Sequence, residues 1–265
     1  NWPEITIGIV GKYVELHDSY ISVTEALKHA GMFQKIRVNL KWISSEFIEQ
    51  NGIKGLFNDT NGLVVPGGFD SRGIEGMIET AKYARENEIP YFGLCLGMQV
   101  MVIEAARTLL GLPRANSTEF DPHTPDPVID LMPDQKDVTQ MGGSMRLGVY
   151  PCEIVEGSWA DRAYGESLVY ERHRHRFEVN NAYREDFKAV GFWPTGLSPD
   201  GRLVEIMEMA DQPFMVGVQF HPEFLSRPNR PHPMFREFIG VAKRTLREGG
   251  QHKLPLESPN SAQRV

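Results

Sequence analysis

Cys95 and Cys152 are the two thiols of this chain, and only Cys95 stands in a pattern that would make it a nucleophile. It lies in Gly93-Leu94-Cys95-Leu96-Gly97, after the short apolar run Ile89, Pro90, Tyr91, Phe92. A stretch free of Gly and Pro, Met98 to Leu110, follows. Gly-x-Cys-x-Gly between a strand and a helix is the thiol form of the nucleophile elbow. The turn is tight enough to need small residues on both sides, and it raises the side chain at the top of a sheet over a helix N-terminus. Unpaired N–H groups and the helix dipole there favour a thiolate. A second reading fits the same residues, a buried cysteine between two packing glycines. The elbow alone does not choose between them.

A cysteine nucleophile requires a base to take its proton and a third group to orient that base. Of the eight histidines, His221 is the best placed, in Val218-Gln219-Phe220-His221-Pro222-Glu223. An apolar strand from Phe214 to Phe220 delivers it to a strand end, where α/β active sites lie. Pro222 restrains His221 towards an extended conformation. Glu223, two residues on, points the same way in an extended chain and can hold one imidazole nitrogen. Read blandly, His-Pro-Glu is a turn after a strand. His173 and His175 sit among Arg172, Arg174 and Arg176, a poor setting for a metal ion with no Cys or Asp/Glu cluster beside it. No metal is expected. That segment suits a carboxylate held by an arginine, or equally a solvated basic edge strand. Oxyanion donors are available from the backbone N–H of Leu96 and from Pro66-Gly67-Gly68, where two glycines after a buried strand allow close approach.

The elements that must position these groups can be read from hydrophobic periodicity. Strands are predicted at Ile5–Val10, Lys35–Ile43, Gly62–Pro66 and 89–94. Helices are predicted at Ser19–His29, ended by Gly31, at 74–86, and from Met98 to Leu110. The alternation implies an α/β fold with three layers and a mostly parallel central sheet. From Arg114 to Gly148 polar residues, Pro and Gly point to excursion loops. Five short runs follow: Val149–Val155, Arg176–Val179, Phe187–Phe192, Leu203–Met209 and Met215–Phe220. They read as antiparallel additions to the sheet, and Pro233–Leu246 as a closing helix. Residues 1–246 read as one domain and 247–265 as a disordered tail.

The chain has 265 residues, 41% of them hydrophobic and 24% charged, as in an ordinary globular protein. A net charge of −7 gives no support to a nucleic-acid or membrane-surface partner. Neither a membrane-length apolar run nor a signal peptide is evident, and two cysteines make no disulfide framework, so a cytoplasmic location is expected. The start at Asn1 rather than Met leads us to expect a piece of a longer protein. No phosphate-binding glycine loop occurs.

Pro66-Gly67-Gly68, Gly93-x-Cys95-x-Gly97-x-Gln99 and His221-Pro222-Glu223, in that order, resemble the class I (triad) glutamine amidotransferases. More specific segments resemble the C-terminal glutamine amidotransferase domain of the CTP synthases. They are Val10-Gly11-Lys12-Tyr13, Ser22-Val23-x-Glu25-Ala26-Leu27-Lys28-His29, Pro66 to Gly76, Ala115 to Phe120, Gly142 to Gly148, Arg172 to Asn180 and Gln219 to Phe224. The resemblance implies Cys95 as the nucleophile that forms a γ-glutamyl thioester, His221 as the proton relay and Glu223 as its orienting group. Gly67, Gly68 and Leu96 would supply backbone for the oxyanion and substrate. Gly68, Leu96, Gly97, Met98, Gln99, Glu119 and Arg176 would bind L-glutamine, Glu119 through the α-ammonium and Arg176 through the α-carboxylate.

The resemblance also implies an N-terminal amidoligase domain outside this chain. That domain would use the ammonia to convert UTP to CTP with ATP and Mg²⁺, a step of pyrimidine biosynthesis, with GTP as activator and a homotetramer as the whole enzyme. No cofactor is expected within these residues. Asp70 stands where that resemblance leads us to expect Gly, which puts lid mobility and the GTP response in question. Two other readings stay open: a γ-glutamyl hydrolase or thiol peptidase of related fold, and a regulatory or assembly module with little activity alone.

Overall fold

The computed structural model describes residues 2–131 and 145–246. The tail assigned to 247–265, and the Gly142-Gly143 part of the polar stretch, lie outside them. Nine strands form one mixed sheet in the order β2-β1-β3-β4-β12-β11-β10-β7-β8. The first five are β1 (Glu4–Gly11), β2 (Arg37–Ser44), β3 (Gly62–Val65), β4 (Tyr91–Leu94) and β12 (Met215–Val218), and all their pairings are parallel. β11 (Val204–Met209), β10 (Phe192–Leu197), β7 (Arg146–Ile154) and β8 (Leu168–His175) extend the sheet antiparallel. The expected α/β architecture is present, with five strands in the parallel half of the sheet and four in the antiparallel half. Met215–Val218 belongs to the parallel half rather than to the additions, because β12 pairs directly with β4.

Residues of the central strands alternate between two buried layers, as a two-sided parallel sheet requires. Val64, Phe92 and Val218 face α1 (Ile21–Phe33) and the closing helix Pro233–Arg244. Phe92 meets Phe214, Phe235 and Phe238 there, with ring centroids 5.1 to 5.8 Å apart. Leu63, Val65 and Tyr91 face α3 (Ile74–Glu86) and α4 (Leu96–Thr108) on the other side, in the layer that α2 (Ser45–Asn51) joins through Ile48. A smaller sheet of β5 (Ala115–Ser117), β6 (Asp126–Asp130) and β9 (Glu178–Val179) packs over the α4 side. The described part of the stretch read as excursion loops therefore carries β5 and β6, too short and too polar to show periodicity, and the first residues of β7.

Three local readings change. Gly31 does not end the first helix, which runs to Phe33; a Cβ at Gly31 would fall 2.7 Å from Val38, so glycine serves close packing against β2. Residues Arg184–Ala189 form a helix where a strand from Phe187 was expected, and the strand begins at Phe192. The expected strand Arg176–Val179 contributes only β9, in the smaller sheet, while β8 forms just before it from residues not expected to join the main sheet. The period-2 pattern of β8 is plain in the structure, with Val169, Glu171, His173 and His175 buried and Leu168, Tyr170, Arg172 and Arg174 exposed.

Candidate active site

Cys95 lies between β4 and α4, with its N–H donating to the Val218 carbonyl of β12 at 2.7 Å. Its backbone sits at φ 52° and ψ −101°, a strained conformation for a side chain larger than glycine's. Two glycines make the turn possible. A Cβ at Gly93 would fall 2.5 Å from the Gly97 carbonyl, and one at Gly97 would fall 2.0 Å from the Val65 carbonyl. Leu96 and Gly97 open α4, so their N–H groups have no intrahelical acceptor. The Met98 N–H donates to the Cys95 carbonyl and its side chain lies in the core against Gly217. Met98 therefore offers little to a ligand.

His221 and Glu223 come together as expected, but by a turn and not by an extended chain. His221 sits at φ −115° and ψ 80°, and Pro222 opens a 3₁₀ turn that brings Glu223 back to the imidazole. Nδ1 of His221 lies 2.8 Å from Oε1 of Glu223. The His221 N–H donates to the Arg172 carbonyl of β8 at 2.8 Å, fixing the backbone from the other side. Nε2 is buried with no hydrogen-bond partner among the described residues. Burial lowers the pKa of this imidazole, but the neighbouring Cys95 sulfur and Glu223 outweigh it and raise the value to about 11. The site thus favours an imidazolium beside the sulfur at neutral pH.

The glycine loop lies against both groups. A Cβ at Gly67 would fall 2.9 Å from Cε1 of His221 and 3.5 Å from Cβ of Cys95. Beyond it, Lys12 is buried and donates to the carbonyls of Phe69 (2.7 Å) and Asp70, with its ammonium 3.5 Å from the Asp70 carboxylate. Asp70 has φ 65°, the left-handed region where glycine or a short acid is tolerated. That backbone explains why glycine was expected at this position and how Asp can occupy it. The role of Lys12 in tying the loop was not legible in the sequence, since nothing marks a lysine as buried.

Cys95 opens onto a cavity of about 210 Å³ lined also by Gly68, Leu96, Gln99, Glu119 and Arg176. Residues spread over more than a hundred positions of sequence thus meet at one small pocket. Burial raises the pKa of Glu119, while Lys12 and Arg176 pull it back down. An acid and an arginine across one cavity form a site for a zwitterion. The Gln99 carboxamide donates through Nε2 to the Phe177 carbonyl and to Oε1 of Gln219, both at 3.3 Å. With both N–H groups used, its oxygen is the atom left for a ligand. A second cavity, lined by Gly67, His221, Glu223 and Phe224, meets the first at Cys95.

His173 and His175 point inward with Glu205, bringing three possible metal-ligand atoms within 4.8 Å of one another. Nothing in the sequence points to that carboxylate, which comes from β11. Each group already has another partner. His173 and His175 hydrogen bond to each other at 2.8 Å, and Arg146 takes Glu205 in a bidentate pair while also reaching Glu178. A guanidinium in that place opposes a cation, so the cluster reads as a buried polar network behind the pocket wall.

Known proteins resemble this chain along most of its length. Residues 15–241 match the family model described as glutamine amidotransferase class-I. Over 255 residues the chain is 63% identical to a CTP synthase of Thermomicrobium roseum and 60% identical to one of a Roseiflexus species. Each comparison takes in 96% of this chain and 46% of the relative, so the chain spans about half the length of the curated relatives it matches. Among solved structures, the glutaminase domain of Trypanosoma brucei CTPS with bound acivicin is similar at 38% identity and a TM-score of 0.85. It covers 91% of this chain and 94% of that one. A glutamine amidotransferase from Methylobacillus flagellatus shares the fold, at 13% identity and a TM-score of 0.50, with 97% of this chain and 82% of that one covered.

Proposed function

The chain belongs to the class-I glutamine amidotransferase family, and on that premise we propose that it is the glutaminase part of a CTP synthase. In this reading it hydrolyses L-glutamine to glutamate and ammonia. The observation that carries the proposal is Cys95 beside the paired His221 and Glu223, at the mouth of a cavity that gathers Gln99, Glu119 and Arg176. Glu119 takes the α-ammonium of glutamine, Arg176 the α-carboxylate, and the Gln99 oxygen a substrate N–H. The Cys95 sulfur adds to the side-chain carbonyl, and the N–H of Leu96 with the Gly67-Gly68 backbone receives the oxyanion. His221 gives its proton to the departing nitrogen, which leaves as ammonia. The neutral imidazole then takes a proton from water as that water attacks the thioester, and glutamate leaves.

The similarity to CTP synthases about twice as long supports a further domain, a synthetase that aminates UTP with ATP and Mg²⁺. Those cofactors, GTP as activator and a tetrameric whole enzyme belong to that larger protein in this reading, and no residue here is assigned to them. Among the described residues no helix is long and apolar enough to cross a membrane, and both cysteines are free. Free thiols support a reducing, cytoplasmic setting. The test is ammonia release from free glutamine against cleavage of γ-glutamyl peptides. We expect glutamine to be the better substrate, since a cavity of about 210 Å³ with an acid and a base for both α-groups suits a free amino acid. Faster turnover of peptides would overturn the assignment in favour of a γ-glutamyl hydrolase.

A further inference from the structure

Gln219 is fully buried one turn of strand before His221, and the triad chemistry gives it no part. Its Nε2 lies 3.6 Å from Sγ of Cys95. The direction of that contact is not a free choice between the two ends of a carboxamide. The Phe177 carbonyl can only accept, so the Gln99 atom facing it, at 3.3 Å, must be the NH₂ group. The same NH₂ faces Gln219 at 3.3 Å, so the Gln219 atom there must be the oxygen. Its nitrogen then points at the sulfur. A backbone carbonyl therefore sets the polarity of a relay, Phe177 to Gln99 to Gln219 to Cys95, that ends in a donor aimed at the reacting atom. The Gln219 backbone is fixed as well, because its N–H donates to the Glu205 carbonyl at 2.8 Å.

We propose that Gln219 is a catalytic residue that donates a hydrogen bond from its carboxamide to the Cys95 sulfur and so favours the anionic, attacking form. A donor stabilises a thiolate more than a thiol, because the charged sulfur is the stronger acceptor. The inference rests on Cys95 being the nucleophile of the proposed glutaminase.

The test removes the donor and adds no charge. In Gln219→Met a side chain of similar length meets the sulfur with no N–H to offer. We expect the rate of iodoacetamide modification of Cys95 at pH 7 to fall about tenfold, the order of a charge-assisted hydrogen bond, and its pH midpoint to rise. kcat for glutamine should fall with it, while KM stays within about twofold. Alkylation at the wild-type rate, or a loss carried by KM alone, would overturn the proposal. If Gln219→Met does not fold, the Gln219 side-chain amide protons decide in the wild-type fold. Their NMR shift should change in Cys95→Ala, and an unchanged shift counts against the contact. Alkylation reads the sulfur without any substrate, so failure of the glutaminase reading would show separately, as no ammonia released by the unaltered chain.

Discussion

Cys95, His221 and Glu223 derive their chemistry from how each is held. The cysteine is held by the strained elbow, the histidine by Arg172 through its backbone and Glu223 through Nδ1, and the carboxylate by the turn that Pro222 starts. His221 carries a raised pKa of about 11, with the sulfur and Glu223 as the two raising partners against burial. Taking the carboxylate away by Glu223→Gln leaves one partner, so the His221 value should move down. Titration of its Cε1 proton by NMR would show a lower midpoint in the variant than in the wild type. kcat should fall by about 10² or more with KM little changed, because orientation of the base acts in the transition state. An unchanged midpoint would mean that Glu223 does not hold the imidazolium. The proposed nucleophile was legible in the sequence because His221-Pro222-Glu223 and Gly67-Gly68 accompany the elbow, which alone would also suit a buried thiol. Lys12 and Gln219 were not. A buried lysine and a buried glutamine leave no mark in the sequence, and both draw their meaning from carbonyls or sulfur placed by distant segments.

At the level of elements, the elbow works because β3, β4 and α4 approach one another more closely than any side chain allows. Gly97 packs against the Val65 carbonyl of β3, and Tyr91 of β4 donates its hydroxyl to the Gly97 carbonyl at 2.8 Å. Gly97→Ala places a methyl group 2.0 Å from the Val65 carbonyl oxygen, a backbone atom that cannot swing away. A loss of about 3 kcal/mol or more is expected by chemical denaturation, at the upper end of overpacking costs. A stability within about 1 kcal/mol of the wild type would show that β3 can retreat. The parallel strands and α3 were readable because apolar runs and clean periodicity mark them. β8 escaped because its inward face is Val169, Glu171, His173 and His175, a polar alternation that reads as charged surface until the sheet buries it. The 3₁₀ turn after His221 escaped for a related reason: Pro222 allows either an extended or a turned chain, and only the pull of Glu223 on Nδ1 decides.

For the whole molecule, the sheet divides the labour. Its parallel half presents Cys95 and the Gly67-Gly68 loop at the strand ends, and its antiparallel half supplies the far wall, where His175, Arg176 and Phe177 line the cavity. Behind that wall, burial lowers the pKa of His173 to about 2 and of His175 to about 3, while burial and Glu205 raise that of Glu178 to about 8. The signs oppose each other. Stability from the neutral histidines is complete above their ordinary value of 6.5 and is lost as pH falls towards the folded values. Stability from the protonated Glu178 is complete below its ordinary 4.5 and is lost as pH rises through about 8. His173→Gln removes one acid-sensitive group, so its drop in Tm between pH 7 and pH 4.5 should be smaller than that of the wild type. An equal drop would assign acid lability elsewhere. Central to the proposed glutaminase chemistry is a covalent bond between glutamine and one sulfur. Acid quenching of the wild-type chain during glutamine turnover, followed by peptide mass spectrometry, should find a γ-glutamyl group on the peptide containing Cys95 and none on that containing Cys152. Ammonia release should cease in Cys95→Ala. A glutamyl group on Cys152, or ammonia release that survives Cys95→Ala, would contradict it.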